Sequence, residues 1–329
     1  MGLDVHSGQH PDFSAAGYQV IRELGRNQEG GRITYLADVL NSSQKVVIKE
    51  FCFASATADW FGEKAYEREI AILQKLNHSR IPRYVNSFET AGSFYLVLEY
   101  KNAPSLGVKR NFATAEIQQI ALSILEILVY LQQQVPPIIH RDIKPENILV
   151  DTQLNAYLVD FGLARIKGEK TALTSFVAGT PGFMPPEEHF GHTLTEASDL
   201  YSLGVTLICL LSRHRAVDIG KLIDHNYRFN LAKLVPQINP SFASWLQKMI
   251  EPNRKCRYAN ASAALRALQP IYVFGDTRKI DYFFTAMQWK KCLGLLGLII
   301  ILTLAVVGVN LLSSQPSDAG RQIIEIKEL

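Results

Sequence analysis

Apolar and polar positions divide the chain into stretches of different rhythm. Between residues 18 and 100 the apolar residues alternate or cluster in four short runs, YQVIREL, RITYLADVL, KVVIKEF and SFYLVLEY, each the length of a strand. One helical pattern interrupts them, EKAYEREIAILQKLNH (63–78), in which Ile70, Leu73 and Leu76 recur at helical spacing while charges take the other face. From Thr114 onward the rhythm is helical, through ATAEIQQIALSILEILVYLQQQ, DLYSLGVTLICLLSR, SFASWLQKMI and ASAALRAL. The pattern predicts a strand-rich small lobe followed by a helix-rich large lobe. Lys101, Asn102, Ala103 and Pro104 form the expected hinge between them.

A last stretch has no rhythm at all. Residues 293–312, LGLLGLIIILTLAVVGVNLL, hold 14 Leu, Ile or Val in 20 positions and no charge. At about 1.5 Å per residue this run makes roughly 30 Å of helix, the thickness of a bilayer's hydrocarbon layer, so a single transmembrane helix is expected. Lys290 and Lys291 abut its start, with Arg278 and Lys279 upstream, whereas Arg321 and Lys327 beyond it are diluted by Asp318, Glu325 and Glu328. The positive-inside rule then puts the residues before the span in the cytoplasm and the tail, 313–329, on the opposite side. No apolar run follows Met1, so no cleaved signal peptide is expected. Gly294 and Gly297 would let a second copy approach closely, a route to a homodimer.

Composition narrows the function classes. With 329 residues, 47% hydrophobic and 20% charged, the chain is too apolar for a disordered polypeptide. Its net charge of +3, from 34 basic and 31 acidic residues, is too weak a field to mark a nucleic-acid partner, and none is expected. Cys52, Cys209, Cys256 and Cys292 lie far apart with no C-x-x-C pair, which suggests neither a disulfide framework nor a structural zinc site and fits a reducing compartment.

The chemistry concentrates in His140-Arg141-Asp142-Ile143-Lys144-Pro145-Glu146-Asn147, followed eighteen residues after Asp142 by Asp160-Phe161-Gly162. Between them ILVD and AYLVD flank TQLN, a short hairpin that carries Asn147 and Asp160 toward one place as two hard oxygen ligands. The run HRDIKPEN with DFG resembles the protein kinase superfamily, and within it the eukaryotic-like membrane serine/threonine kinases of bacteria. The resemblance implies an α+β, two-lobed kinase-like fold over residues 18–272, after a lead of 1–17. A juxtamembrane linker, 273–292, and the transmembrane helix would follow.

That resemblance assigns roles. Asp142 would accept the substrate hydroxyl proton, Lys144 would sit beside the γ-phosphate, and Asn147 and Asp160 would hold Mg²⁺, with Mn²⁺ as an alternative. Lys144 points to serine and threonine acceptors on protein substrates. Lys49 in VVIK would pair with the α- and β-phosphates of ATP. Its helical partner is Glu69, selected by the spacing to Leu73, Leu76 and His78, while Glu67 is expected on the solvated face. Leu98 would be the gatekeeper, and the backbones of Glu99 and Lys101 would bond adenine. The glycine-rich loop departs from the family pattern. Leu24, Gly25, Asn27, Gly30, Gly31 and Thr34 are its expected nucleotide contacts, with Thr34 over the base and Arg32 where the last glycine belongs.

Downstream, GTPGFMPPE resembles the end of an activation segment. Glu187 is expected to pair with Arg257, Asp199 to brace the catalytic loop, and Thr180 to stand beside Asp142. Thr174, Thr171 and Ser175 are the candidate phosphorylation sites, and a phosphate there would pair with Arg141. The expected function is a membrane-anchored, autophosphorylating serine/threonine protein kinase. The alternative is a membrane-anchored pseudokinase scaffold, which only the irregular glycine loop favours.

Overall fold

Strands built from the four apolar runs make most of the small lobe. This computed structural model describes residues 10–27, 32–52, 59–90, 92–167 and 179–273. The expected span, the linker beyond Val273, the tail, Gly30, Gly31, Thr171, Thr174 and Ser175 lie outside the described residues. β1 (Tyr18–Asn27), β2 (Arg32–Val39), β3 (Lys45–Cys52), β4 (Tyr84–Glu89) and β5 (Ser93–Glu99) form one antiparallel sheet in the order β1-β2-β3-β5-β4. Both faces of its centre are covered, so β5 is buried at almost every position instead of alternating. One face joins the main core through Phe51, Phe94, Leu96 and Leu98, and the other packs Tyr35, Tyr95 and Val97 under Phe13.

Two elements differ from the sequence pattern. β4 was not among the expected strands because YVNSFE is an edge strand, paired with β5 alone among the described strands and exposed at Val85 and Asn86. The helix expected to reach His78 is α1 (Asp59–Leu73), which stops at Leu73. There Lys75 N–H bonds Ile72 O at 3.0 Å and Leu76 N–H bonds Leu73 O at 3.2 Å, a tightened turn that keeps Leu76 buried. Helical spacing therefore outlasts the helix.

The large lobe is built on α2 (Thr114–Gln132), whose first turn is capped by Ala113 N–H donating to the Glu116 carboxylate at 2.8 Å. Its stripe of Ile117, Ile120, Ile124, Leu128 and Leu131 packs against α4 (Glu196–Ser212) and α7 (Ala261–Leu268). Among the described residues α2 is the one helix long and apolar enough to cross a membrane, and this buried stripe accounts for it as core. Smaller helices, α3 (Pro186–His189), α5 (Leu231–Leu234) and α6 (Pro240–Met249), complete the lobe. Where α4 meets α6, Gly204 is required: a Cβ there would lie 2.5 Å from Ile250 Cγ2 and 3.1 Å from Met249 Cβ.

Four short strands lie between the helices. β6 (Ile138–Ile139) pairs with β9 (Arg165–Ile166), and β7 (Ile148–Val150) pairs with β8 (Ala156–Leu158). The second pair is the hairpin expected around TQLN. Its turn is held by Asp151, whose carboxylate accepts from the N–H groups of Gln153 and Asn155 at 2.9 Å each. The segment between the lobes is tied to the hairpin by Val150 N–H to Pro104 O at 2.9 Å and Leu106 N–H to Ile148 O at 2.8 Å.

Candidate active site

The hairpin brings its two ends together, and with them the acidic and amide groups. Asn147 immediately precedes β7 and Asp160 follows β8 after one residue, and Val159 N–H bonds Asn147 O at 3.0 Å. Asn147 donates both amide hydrogens to Asp142, at 2.8 Å to its carbonyl and 2.7 Å to Oδ2, which turns its own Oδ1 away from that partner. Asp160 adopts a left-handed conformation, φ +63°, unusual for a residue with a side chain. An asparagine carbonyl beside an aspartate carboxylate is a donor set that fits a hard divalent cation such as Mg²⁺.

Asp142 is held from three sides. Thr180 donates to its Oδ1 at 2.8 Å, Lys144 Nζ lies 3.0 Å from Oδ2, and Lys144 also donates to Thr180 Oγ1 at 2.6 Å. Beneath it the backbone is fixed by Asp199, which accepts from the N–H groups of His140 at 2.8 Å and Arg141 at 2.9 Å. Burial raises the Asp199 carboxyl to about 6 against the opposing pull of those two donors. His140 is neutral: burial pushes its imidazole down to about 4, with Nε2 3.2 Å from Val159 O and Nδ1 accepting from Asp142 N–H at 3.3 Å.

From the small lobe, β3 contributes Lys49 and α1 contributes Glu69. Lys49 Nζ lies 2.8 Å from Glu69 Oε1 and 2.8 Å from Asp160 Oδ1, so the ammonium joins the two lobes. Glu67 is exposed on the other side of α1. Burial would lower the Lys49 pKa, but the two carboxylates outweigh it and hold the amine above its ordinary value. Burial would likewise raise Asp160, yet Lys49, and then Arg32, hold it well below the usual carboxylate range.

Lys49 and Asp160 border a cleft of about 790 Å³, of ligand-pocket size, whereas Asp142 and Glu69 are not among its lining residues and adjoin it through Thr180, Lys144 and Lys49. Leu24, Gly25 and Thr34 line it from the small lobe, and Lys144, Asn147 and Thr180 from the large one. Thr34 sits opposite Gly25 on β1 and opposite Lys49 on β3. Asn27 closes the β1–β2 pair against Arg32 and is not among the residues lining the cleft. Glu99 and Lys101 are also outside this lining. Glu99 N–H bonds Arg83 O at 2.9 Å, and Lys101 O accepts from Ala103 N–H at 2.8 Å. Leu98 is buried at the end of β5.

Three placements were not foreseen from the sequence. Arg32 enters the cleft, with its guanidinium 5.1 Å from the Phe51 ring centroid and Nη1 3.0 Å from where a Cβ on Gly162 would stand. Its strand position, opposite Phe51 and two residues before Thr34, was the available signal. Ala216 and Val217, with Val217 79% exposed, form an apolar lip that no motif announced. Arg141, expected to be open to a phosphate, is instead occupied by Glu188. The adjacent Glu187 makes the expected pair with Arg257, two parallel bonds of 2.7 Å each, with the guanidinium 4.9 Å from the Tyr201 ring centroid.

A five-stranded lobe over a helical lobe, with a lysine, three acidic residues and an asparagine converging between them, defines a two-lobed kinase fold. The protein kinase domain family model matches residues 18–269, and the chain belongs to that family. Serine/threonine-protein kinase D of Synechocystis sp. is 33% identical over 272 residues, covering 78% of this chain and 53% of the relative. Serine/threonine-protein kinase PknA of Nostoc sp. is 30% identical over 275 residues, 77% of this chain and 47% of the relative. Leucine-rich repeat receptor-like protein kinase PEPR1 of Arabidopsis thaliana is 35% identical over 204 residues, 59% of this chain and 18% of the relative. The chain thus spans about half the length of the Synechocystis and Nostoc relatives.

Proposed function

We propose that the chain is a serine/threonine protein kinase that transfers the γ-phosphate of ATP to Ser and Thr hydroxyls of proteins. The observation that carries the reading is the Asp142 carboxylate, held by Thr180, Lys144 and Asn147, three residues that line the cleft together with Lys49 and Asp160 of the Lys49–Glu69–Asp160 bridge. Asp142 orients the incoming hydroxyl and takes its proton, and Lys144 lies close enough to neutralise charge gathering on the transferred phosphoryl group. Lys49, fixed by Glu69, pairs with the α- and β-phosphates. Leu24, Gly25 and Thr34 cover the nucleotide. The carbonyl of Glu99 and the N–H of Lys101 meet the adenine edge, since the other backbone groups of that pair are engaged. Asn147 and Asp160 would hold Mg²⁺, or Mn²⁺ in its place, which when bound would supply positive charge to offset the negative charge of the phosphates.

The finer parts of the reading are a single-pass anchor at residues 293–312, a cytoplasmic kinase domain, association of two copies through the span, and autophosphorylation at Thr174 with Thr171 and Ser175. Purified chain incubated with γ-labelled ATP and Mg²⁺ should incorporate label into itself or a generic protein substrate as phosphoserine and phosphothreonine. Nucleotide binding without any transfer would favour the scaffold reading, and mainly phosphotyrosine would refute the assignment to serine and threonine.

A further inference from the structure

Next to Asp142 lies a buried ion pair that the proposed chemistry does not use. Arg141 donates to Glu188 Oε1 from Nε at 2.8 Å and from Nη2 at 2.5 Å, and each residue is only 4% exposed. The backbone at Arg141 is strained, φ +71°, with its N–H held by Asp199. The guanidinium and Asp199 therefore fix the peptide that leads into Asp142 from two directions.

Glu188 comes from α3, at the end of the segment that begins after Asp160-Phe161-Gly162. That short helix carries consecutive buried carboxylates, each taken by a different arginine: Glu187 by Arg257 and Glu188 by Arg141. The first joins α3 to the large-lobe core, and the second joins it to the catalytic loop. The remaining polar atoms of the second pair, Arg141 Nη1 and Glu188 Oε2, are buried and have no hydrogen-bond partner among the described residues. Among the described residues, the Nε and Nη2 edge of this guanidinium is taken by Glu188 and Nη1 is buried, so a phosphate would have to expel Glu188 from that edge and strand a carboxylate in the interior.

We propose that Glu188 is a positioning residue for phosphoryl transfer, holding Asp142 in place through Arg141 and making turnover independent of a phosphate on Thr171, Thr174 or Ser175. The inference rests on the kinase reading of the cleft and concerns how that site is kept assembled. A permanent carboxylate does for Arg141 what an added phosphate would do, with charge-assisted hydrogen bonds from within the fold.

The test uses the full chain and counts turnover per nucleotide-binding site, so that a misfolded fraction does not enter kcat. Replacing Thr171, Thr174 and Ser175 together by Ala leaves the identities of Arg141 and Glu188 unchanged and should keep kcat within about threefold of the unmodified chain. Glu188→Ala should bind ATP with unchanged stoichiometry and KM within about twofold, yet lose about tenfold or more in kcat. Glu188→Gln, which keeps the Oε1 acceptor, should recover most of that loss. A loss beyond about tenfold in the triple variant overturns the proposal even if Glu188→Ala does not fold, and so does unchanged kcat in Glu188→Ala. No turnover by the unmodified chain overturns the kinase reading and this inference with it, whereas failure of the variants alone leaves the kinase reading standing.

Discussion

At the scale of single residues, the cleft is a balance of opposed charges. Asp142 has its Oδ1 occupied by Thr180 and its Oδ2 by Asn147 and Lys144, so Asp142→Asn replaces an acceptor-only group with one that must donate to donors. The expected outcome is a folded domain with kcat lower by several powers of ten, each corresponding to about 1.4 kcal/mol of barrier. Near-normal turnover in the purified variant would sink the assignment. Arg32 contributes differently. Lys49 is already bonded to Glu69 and Asp160, and Arg32 lies beside Gly162 and Phe51, where its charge helps keep Asp160 ionised. Removing that cation leaves the phosphate end of the cleft more negative, a penalty of about 1 kcal/mol in a partly solvated site. Arg32→Ala should therefore raise KM for ATP about fivefold with little change in kcat, measured by steady-state titration. The Lys49–Asp160 pair also makes a pH prediction. Asp160 sits below its ordinary 3.8, so its contribution is present above that value and lost as pH falls through the folded value. Lys49 sits above 10.5, so its contribution is complete below that value and lost only as pH rises through the folded one. The Tm difference between the chain and Lys49→Met should consequently be flat between about pH 5 and 9. HRDIKPEN and DFG made most of this site legible, because each residue there answers a chemical need at a fixed spacing. Glu188 and Arg32 stayed hidden because the partners that explain them, Arg141 and Asp160, are 47 and 128 positions away in sequence.

Whole elements were legible in proportion to how much of a face they bury. β3 and β5 sit at the centre of the sheet and α2 at the centre of the large lobe, and their apolar patterns predict them directly. β4 lies at the edge, where pairing with β5 makes the strand and side-chain burial contributes little, so its sequence reads as a loop. α1 fails at its end for the opposite reason, since the turn after Leu73 buries Leu76 as a longer helix would. What sequence rhythm could not show at all is how closely two helices approach. Gly204 lies in the middle of α4, where glycine costs about 1 kcal/mol relative to alanine. The contact with α6 explains it, because an added methyl would meet Ile250 Cγ2 at 2.5 Å and Met249 Cβ at 3.1 Å. Gly204→Ala should gain in helix propensity yet lose overall, with a net destabilisation of about 1–3 kcal/mol from overpacking. Denaturant unfolding of the domain checks the sign: a stabilised variant would mean that α4 and α6 part easily.

For the molecule as a whole, the open question is what the kinase domain is attached to. The domain ends its described course near Val273, and the apolar run begins 20 residues later at Leu293. Twenty uncharged positions with Lys290 and Lys291 at their start match a bilayer span with a cytoplasmic N-terminal side. The cleft supports the same orientation by a separate route, because a kinase drawing on ATP must face the compartment that supplies it. α2 is no rival anchor: its apolar stripe is already spent on α4 and α7, and withdrawing it would dismantle the large lobe. The two arguments, from flanking charge and from nucleotide supply, predict one protection pattern. Protease added to sealed, right-side-out membranes should remove a tag placed after Leu329 and spare one placed at the N-terminus, while detergent should expose both. Loss of the N-terminal tag in intact membranes would reverse the orientation and deny the cleft its ATP. Release of the whole chain into the soluble fraction by high salt would instead remove the span, leaving the kinase domain without the anchor proposed for it.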